Sequence, residues 1–135
     1  VYNMISDGML KGILLSSARP ELTIYRNEKK NLGYEVRTRV FFRADNVDFL
    51  TNICDKLNEI GISYTFRDFE SKVRPKPVLW VSGIINLIAL SELVPDLPDA
   101  KNLWKSFNEA LHIIYEGEHN TQEGLDKLLN IKGAI

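Results

Sequence analysis

The segment from Tyr34 to Arg43 alternates between two kinds of side chain. Because side chains of a β-strand point alternately to its two faces, one face of this strand is apolar and the other is basic. The face suited to pack on helices contains Tyr34, Val36, Thr38, Val40 and Phe42. The other face contains Glu35, Arg37, Arg39, Phe41 and Arg43. This pattern predicts a sheet that is covered by helices on one side only.

The remaining segments supply partners for this strand. The sequence predicts a helix within residues 2–18, started by Ser6 or Asp7 and ended by Arg19-Pro20. The other expected strands are Leu22–Arg26, Ile62–Phe69 and Val78–Val81. The other expected helices run from Asp45 or Asn46 to Gly61, from Gly83 to Leu93, from Asp99 to Tyr115, and from Thr121 to about Ile131. We therefore expect an α+β fold with a largely antiparallel sheet. The 135 residues fit one domain spanning residues 1–135.

Apolar residues at helical spacing identify the expected core. The second predicted helix carries a stripe of apolar residues: Val47, Leu50, Ile53, Cys54 and Leu57. The lone Cys54 excludes an internal disulfide and is interpreted as a small buried side chain. Trp80 and Trp104 lie among apolar residues and are expected in the core. No apolar run approaches the ~18 residues of a membrane span, so no membrane association is expected.

The total charge says little about partners, because the formal net charge is −1. Basic residues nevertheless concentrate on the predicted strands and hairpin loops, whereas many acids lie on the helices. Arginine can bind phosphates and read base edges through its planar guanidinium fork. The candidate nucleic-acid-binding residues are Thr23, Tyr25, Lys29, Lys30, Arg37, Arg39, Phe41, Arg43, Arg67, Lys72, Arg74 and Lys76. The alternative is a solvated sheet face whose arginines pair with glutamates.

Three stretches of the sequence resemble the LAGLIDADG homing endonuclease family. They are Leu10–Ala18, Val81–Leu87 and His119–Lys132, and the last contains the pattern T-x-E-G-L followed by I-K that organellar members share. The resemblance implies an αββαββα fold with a saddle-shaped antiparallel sheet that lies in the major groove of DNA. It also suggests a mitochondrial or other organellar location.

The resemblance further implies that the first helix pairs with a second copy of itself. Only one copy is present, so the expected partner is a second chain in a homodimer or a second half in a longer or split protein. The chain begins with valine, which fits a piece of something longer. Gly12, Ile13 and Ser16 are the candidate pairing residues, since small residues four apart allow close helix contact. Alternatively, the two small residues face the protein's own core.

The catalytic position departs from the family pattern. The metal-binding carboxylate of active members falls on Ser17, the earlier motif acid on Leu15 and the final glycine on Ala18. Serine does not replace a carboxylate as a ligand of Mg²⁺. Glu21 and Lys101 are the candidate residual site residues. We therefore expect no catalytic residues, no resident metal and no cofactor, with Mg²⁺ required only if the chain is an endonuclease after all.

Three functions stay open at this point. The first is a catalytically inactive LAGLIDADG-type domain that binds DNA or structured RNA, as in an intron maturase or a ribonucleoprotein scaffold such as a mitochondrial ribosome. The second is a metal-dependent endonuclease that cleaves double-stranded DNA. The third is a protein-interaction module that uses the same sheet.

Overall fold

A computed structural model describes residues 5–95 and 103–134. The elements are helix α1 (Asp7–Ser16), strands β1 (Ala18–Arg26) and β2 (Tyr34–Arg43), helix α2 (Val47–Glu59), strands β3 (Thr65–Arg67) and β4 (Val78–Ser82), and helices α3 (Ile84–Glu92), α4 (Leu103–Tyr115) and α5 (Gln122–Ala134). A short 3₁₀ helix, Glu118–Asn120, lies between α4 and α5. None of the helices in those ranges combines the length and apolar content needed to cross a membrane.

The described strands form one antiparallel sheet in the order β1-β2-β4-β3. The predicted boundaries of β2 are confirmed, and so is the antiparallel α+β architecture. β2 is central because it pairs with β1 from Tyr34 to Phe42 and with β4 over Arg39–Arg43. The alternation of β2 therefore sets the two faces of the whole sheet.

The helices pack against one face of the sheet. Val40 and Phe42 of β2 and Leu79 and Val81 of β4 are almost completely buried in the main apolar cluster. The helices contribute the residues that cover them: Leu10, Leu14, Leu50, Ile53, Cys54, Leu57, Leu87, Leu90, Trp104, Phe107 and Leu111. A second cluster joins Leu22 of β1 to α4 and α5. The predicted burial of Cys54 and Trp104 is confirmed.

The junction between α1 and β1 differs from the sequence prediction. The helix ends at Ser16 and the strand begins at Ala18, so the predicted helix end at Arg19-Pro20 and strand start at Leu22 were wrong. Pro20 instead lies opposite Val40 in the sheet. Proline is tolerated there because β1 is an edge strand, where one side of the backbone makes no ladder hydrogen bonds.

Strand β3 is also shorter than predicted. It contains only Thr65–Arg67 rather than Ile62–Phe69. The backbone N–H of Ser63 donates to the side-chain oxygen of Asn86 in α3 (3.4 Å) instead of joining the ladder with β4. This contact to a helix side chain, which the strand-like sequence does not reveal, keeps the lead-in to β3 irregular.

The ends of α2 follow local sequence signals. Asn46 caps its start and accepts a hydrogen bond from the N–H of Asp48 (2.8 Å), and Gly61 follows its end with a positive φ of 78°. Val47 was expected in the apolar stripe, but it is 41 % exposed. It is the first residue of α2, and the core contacts of this helix begin at Phe49.

The C-terminal motif has a clear structural role. The hydroxyl of Thr121 accepts a hydrogen bond from the N–H of Gly124 (3.1 Å) and so caps α5. A Cβ added at Gly124 would overlap the backbone carbonyl of Glu118, so only glycine allows this close approach. Leu125 is 3 % exposed beneath the same turn. The motif thus seats α5 against the 3₁₀ helix.

Candidate nucleic-acid interface

The sheet face opposite the helices carries the candidate binding residues. Directly opposed residues of antiparallel strands point to the same side, so the strand register defines this face. We call it the arginine face, and its members are Arg19, Glu21, Thr23, Tyr25, Glu35, Arg37, Arg39, Phe41, Arg43, Thr65, Arg67, Val78, Trp80 and Ser82. Within the four described strands it carries five arginines and two glutamates, an excess of positive charge despite the chain's net charge of −1.

Aromatic rings support the guanidinium groups on this face. Arg39 and Arg43 lie over the ring of Phe41, with guanidinium carbons 4.8 and 4.3 Å from its centroid. Arg67 lies 5.6 Å from the centroid of Trp80, whose ring is 6.0 Å from that of Phe41. Cations are attracted to the face of an aromatic ring, so these contacts restrict the conformations of long, flexible side chains. Restricted arginines lose less conformational freedom when they bind a ligand.

Carboxylates partly neutralise some of these arginines. Arg43 donates from Nε and Nη2 to the two carboxylate oxygens of Glu70 at 3.0 and 3.1 Å. Arg39 has only a long contact of 3.9 Å to Glu21. Such a long, partly exposed pair contributes little stability and is easily exchanged for a ligand. Arg39 is therefore available for binding, whereas Arg43 is held in a two-pronged ion pair.

Arg37 is held by a hydroxyl rather than by a carboxylate. Its Nη2 donates to the hydroxyl of Tyr25 at 3.1 Å, and this hydroxyl in turn donates to Glu35. The hydrogen bond from Tyr25 lowers the pKa of the Glu35 carboxyl, so this group stays ionised at neutral pH. Among the described residues, the Arg37 side chain therefore uses one donor, in its hydrogen bond to Tyr25.

Other basic residues are free of carboxylates in the described part of the chain. Arg19 and Arg67 on the arginine face, and Lys29, Lys30 and Lys72 on the hairpin loops, make no ion pair within residues 5–95 and 103–134. The structure therefore brings Arg19, Arg37, Arg39 and Arg67 together on one face.

Two further predicted binding residues take part in contacts within the fold. Arg74 donates from Nη1 to Glu70 (3.1 Å) and to the carbonyl of Pro77 (2.9 Å). Lys76 lies 2.9 Å from Asp45. Their roles in binding stay predictions, because each is already engaged by other groups of the protein.

The Glu70 ion pairs make stability depend on pH. The hydrogen bond from Arg43 holds the pKa of the Glu70 carboxyl below its ordinary value near 4.5. A lowered pKa in the folded state gives stability that is present above that ordinary value and is lost as the pH falls below it. We expect the free energy of unfolding to fall more steeply from about pH 5 to about pH 3 in the wild type than in Glu70→Gln. Urea unfolding of both proteins between these pH values measures the difference. If the free energy of unfolding fell equally steeply in both, the ion-pair assignment would be contradicted.

The end of α1 carries serine hydroxyls at the position where the family has a carboxylate. Ser17, at the position of the family's metal-binding acid, is the C-cap residue and is exposed. Its neighbour Ser16 donates its hydroxyl to the carbonyl of Gly12 (2.7 Å). No group of three or more His, Cys, Asp or Glu residues that could hold a metal occurs within the described residues. Glu21 lies on the arginine face beside Arg39, and Lys101 lies outside the described residues.

One side of α1 is exposed in the described part of the chain. Gly12 and Ser16 are exposed, and a Cβ added at Gly12 would meet nothing within 4 Å. Met9 and Leu15 are 52 % and 40 % exposed. Ile13, also predicted to pair, is partly buried against the protein's own core. The exposed side has the small and apolar residues that close helix contact uses, and the pairing itself stays a prediction.

Arg19 and Trp80 belong to the arginine face although they were not predicted there from the sequence. Arg19 was overlooked because Arg19-Pro20 was interpreted as a helix end. Trp80 was expected in the core, yet it lies on the arginine face, half buried and opposite Phe41. The alternation of β4, with Leu79 and Val81 on the buried face, is the signal that could have placed Trp80 correctly.

Known proteins resemble this chain in three-dimensional structure but not in detectable sequence similarity. No protein-family model matches the sequence, and no curated protein matches it. The crystal structure of the homing endonuclease I-TnaI superposes with a TM-score of 0.77 at 19 % identity, covering 95 % of this chain and 86 % of that one. The LAGLIDADG homing endonuclease I-LtrWI, bound to target DNA, gives 0.80 at 20 % identity and covers 100 % of this chain. I-SmaMI, bound to an uncleaved DNA target in the presence of calcium ions, gives 0.83 at 13 % identity.

The lengths of these chains differ. This chain spans 45 % of the I-LtrWI chain and 46 % of the I-SmaMI chain, so it corresponds to about half of each. The similarity extends through every described helix and strand, because it covers all of this chain in both cases. The chain therefore has the fold of the LAGLIDADG homing endonucleases.

Proposed function

We propose that this chain binds double-stranded DNA through the arginine face without cleaving it. The observation that carries the proposal is a group of arginines on the sheet face opposite the described helices: Arg19, Arg37, Arg39 and Arg67. Within the described residues, these arginines have no carboxylate beside them except the distant Glu21 of Arg39. Arginine is the side chain best suited to hold phosphates and guanine edges at once. The DNA-bound structures of I-LtrWI and I-SmaMI, which have the same fold, support this choice of partner.

Selection from a random library of DNA duplexes tests the proposal. We expect an enriched site whose binding weakens with salt, with the logarithm of the association constant falling by about 0.9 per phosphate contact for each unit of log salt concentration. Absence of affinity for any duplex at low salt would contradict it and would favour the protein-interaction module.

We also infer that the DNA-binding unit contains two such domains. The chain spans about half of the I-LtrWI and I-SmaMI chains, and the exposed side of α1 bears Gly12, Ser16 and Leu15. A second copy, or a second half on another chain, would bury this side. Sedimentation of the protein with its selected duplex should give two copies of this domain per site when the chain acts alone.

The proposal of an inactive domain rests on Ser17. Phosphodiester cleavage of this kind uses divalent metals held by carboxylates, and α1 offers only serine hydroxyls at that point. The nearest acid along β1, Glu21, contacts Arg39 and accepts a hydrogen bond from Thr23 at 3.5 Å.

A nicking assay separates the inactive domain from the endonuclease alternative. Supercoiled plasmid that carries the selected site is incubated with the protein and Mg²⁺, and no nicked or linear product is expected. Nicking that disappears in Glu21→Ala but persists in Glu28→Ala, an exposed loop glutamate, would establish the endonuclease instead.

A further inference from the structure

The loop between β3 and β4, residues 68–77, is braced by its own hydrogen bonds. The N–H of Glu70 donates to the carbonyl of Lys76 (3.0 Å), and the N–H of Ser71 donates to the carbonyl of Arg74 (3.1 Å). The Ser71 hydroxyl accepts from the N–H of Arg74 at 3.1 Å. These bonds close a compact turn, so the positions at its tip are set before any ligand binds.

The side chain of Arg74 adds to this bracing from inside the loop. Its Nη1 contacts Glu70 at one end of the turn and the carbonyl of Pro77 at the other. An arginine used in this way holds the loop closed rather than reaching outward to a ligand. The residues at the tip, Lys72 and Val73, are left to make outward contacts.

The base of the loop lies on the arginine-face side of the sheet. Glu70 accepts hydrogen bonds from Arg43, whose guanidinium lies over Phe41 on that face. Arg67, the last residue of β3, belongs to the same face. The loop therefore extends the arginine face at its outer edge, beyond the short strand β3.

The tip combines an apolar side chain with a cation. Val73 is 97 % exposed, well above the 41 % of Val47, the exposed valine at the start of α2. Lys72 beside it is exposed and makes no ion pair with the described residues. A braced loop that holds an isopropyl group in water presents an apolar contact to whatever the arginine face binds.

We propose that Val73 contacts the 5-methyl group of a thymine at the outer end of the DNA site, while Lys72 contacts a neighbouring phosphate. This inference rests on the proposed binding of duplex DNA. The thymine methyl is the apolar group that bases present in the major groove, and apolar side chains recognise it. Uracil lacks this methyl, and the major groove of A-form RNA is too deep and narrow for such a contact.

Methyl deletion in the DNA tests the contact. Each thymine of the selected duplex is replaced by deoxyuridine, one position at a time, and the affinity is measured by fluorescence anisotropy. At one thymine the replacement should weaken binding by the wild type about fourfold, the effect of one buried methyl group. Val73→Ala should weaken binding to the unmodified duplex and should be insensitive to deoxyuridine at that position.

Matched variants sharpen the result. Val47→Ala shortens the exposed valine of α2 and should keep the full deoxyuridine effect. Lys72→Ala should weaken binding to all duplexes alike and lower the salt slope by about one unit. Val73 packs on almost nothing, so its replacement should leave the thermal unfolding temperature unchanged.

The outcomes separate this inference from the function on which it rests. If the wild type binds no duplex, both fail. If it binds with the expected salt dependence but no thymine position responds to deoxyuridine, the contact of Val73 is refuted and DNA binding stands. The contact is also refuted if Val73→Ala responds to deoxyuridine as strongly as the wild type does.

Discussion

Replacement of Arg37, Arg39 and Arg67 by alanine is expected to lower the affinity for the selected DNA duplex by about 100-fold or more. Each arginine that donates to a phosphate or a base edge contributes about 1–3 kcal/mol, and about 3 kcal/mol in total already corresponds to more than 100-fold. All three lie on the arginine face, and among residues 5–95 and 103–134 none has a carboxylate closer than the 3.9 Å contact of Arg39 to Glu21.

The salt dependence shows what these arginines contact. If all three bind phosphates, the slope of log affinity against log salt should fall by about three units. If they read bases, the slope should stay constant while the preference for the selected site is lost. Arg26→Ala is the control. Arg26 is also an exposed arginine of β1, but it belongs to the other face of the sheet, since it pairs with Tyr34. Unchanged affinity and slope in the triple variant would contradict the assignment of this face.

Trp104→Ala should reduce the free energy of unfolding by about 3–5 kcal/mol, as deletion of a large buried aromatic side chain does. The Trp104 side chain is 6 % exposed, and its ring meets that of Phe107 edge-on at 5.9 Å. Its Nε1 donates to the carbonyl of Leu14 at 2.8 Å, which joins α4 to the last turn of α1. Urea unfolding followed by circular dichroism measures the loss.

Two further variants separate the contribution of the buried ring from that of the hydrogen bond to Leu14. Trp104→Phe keeps most of the ring but removes the donor, and it should cost about 1–3 kcal/mol because a buried carbonyl loses its partner. Tyr115→Ala changes an aromatic residue of α4 that is 56 % exposed and should cost less than about 1 kcal/mol. A loss below about 1 kcal/mol in Trp104→Ala would show that α4 is not anchored to α1 in this way.

The central strand and the helix caps were predictable because their signals are local. The alternation in β2 places Val40 and Phe42 on the covered face, and Ser6 and Asn46 cap the helices they precede. The edges of the sheet were less predictable. β1 starts early because Pro20 is tolerated in an edge strand. The short length of β3 goes with the hydrogen bond from Ser63 to Asn86, which lies far along the chain.

The positive charge of the arginine face was predictable from the sequence, but the ion pairs of its arginines were not. Arg37 and Arg39 follow from the alternation of β2, and Arg67 was expected from its place in the third predicted strand; the three lie on one face of the sheet. Arg43 has the same sequence context, yet Glu70, 27 residues away along the chain, holds it. Arg74 meets the same glutamate. Which cations are free depends on such tertiary partners, and the sequence does not reveal them.

Binding to DNA and RNA duplexes of the same base sequence, measured by fluorescence anisotropy at one salt concentration, tests the central claim most directly. The arginine face is proposed to enter the major groove of B-form DNA, which A-form RNA closes to side chains. We expect the selected DNA duplex to bind at least about tenfold more tightly than its RNA counterpart, a difference of about 1.4 kcal/mol. Equal or tighter binding of the RNA duplex would contradict the proposed function.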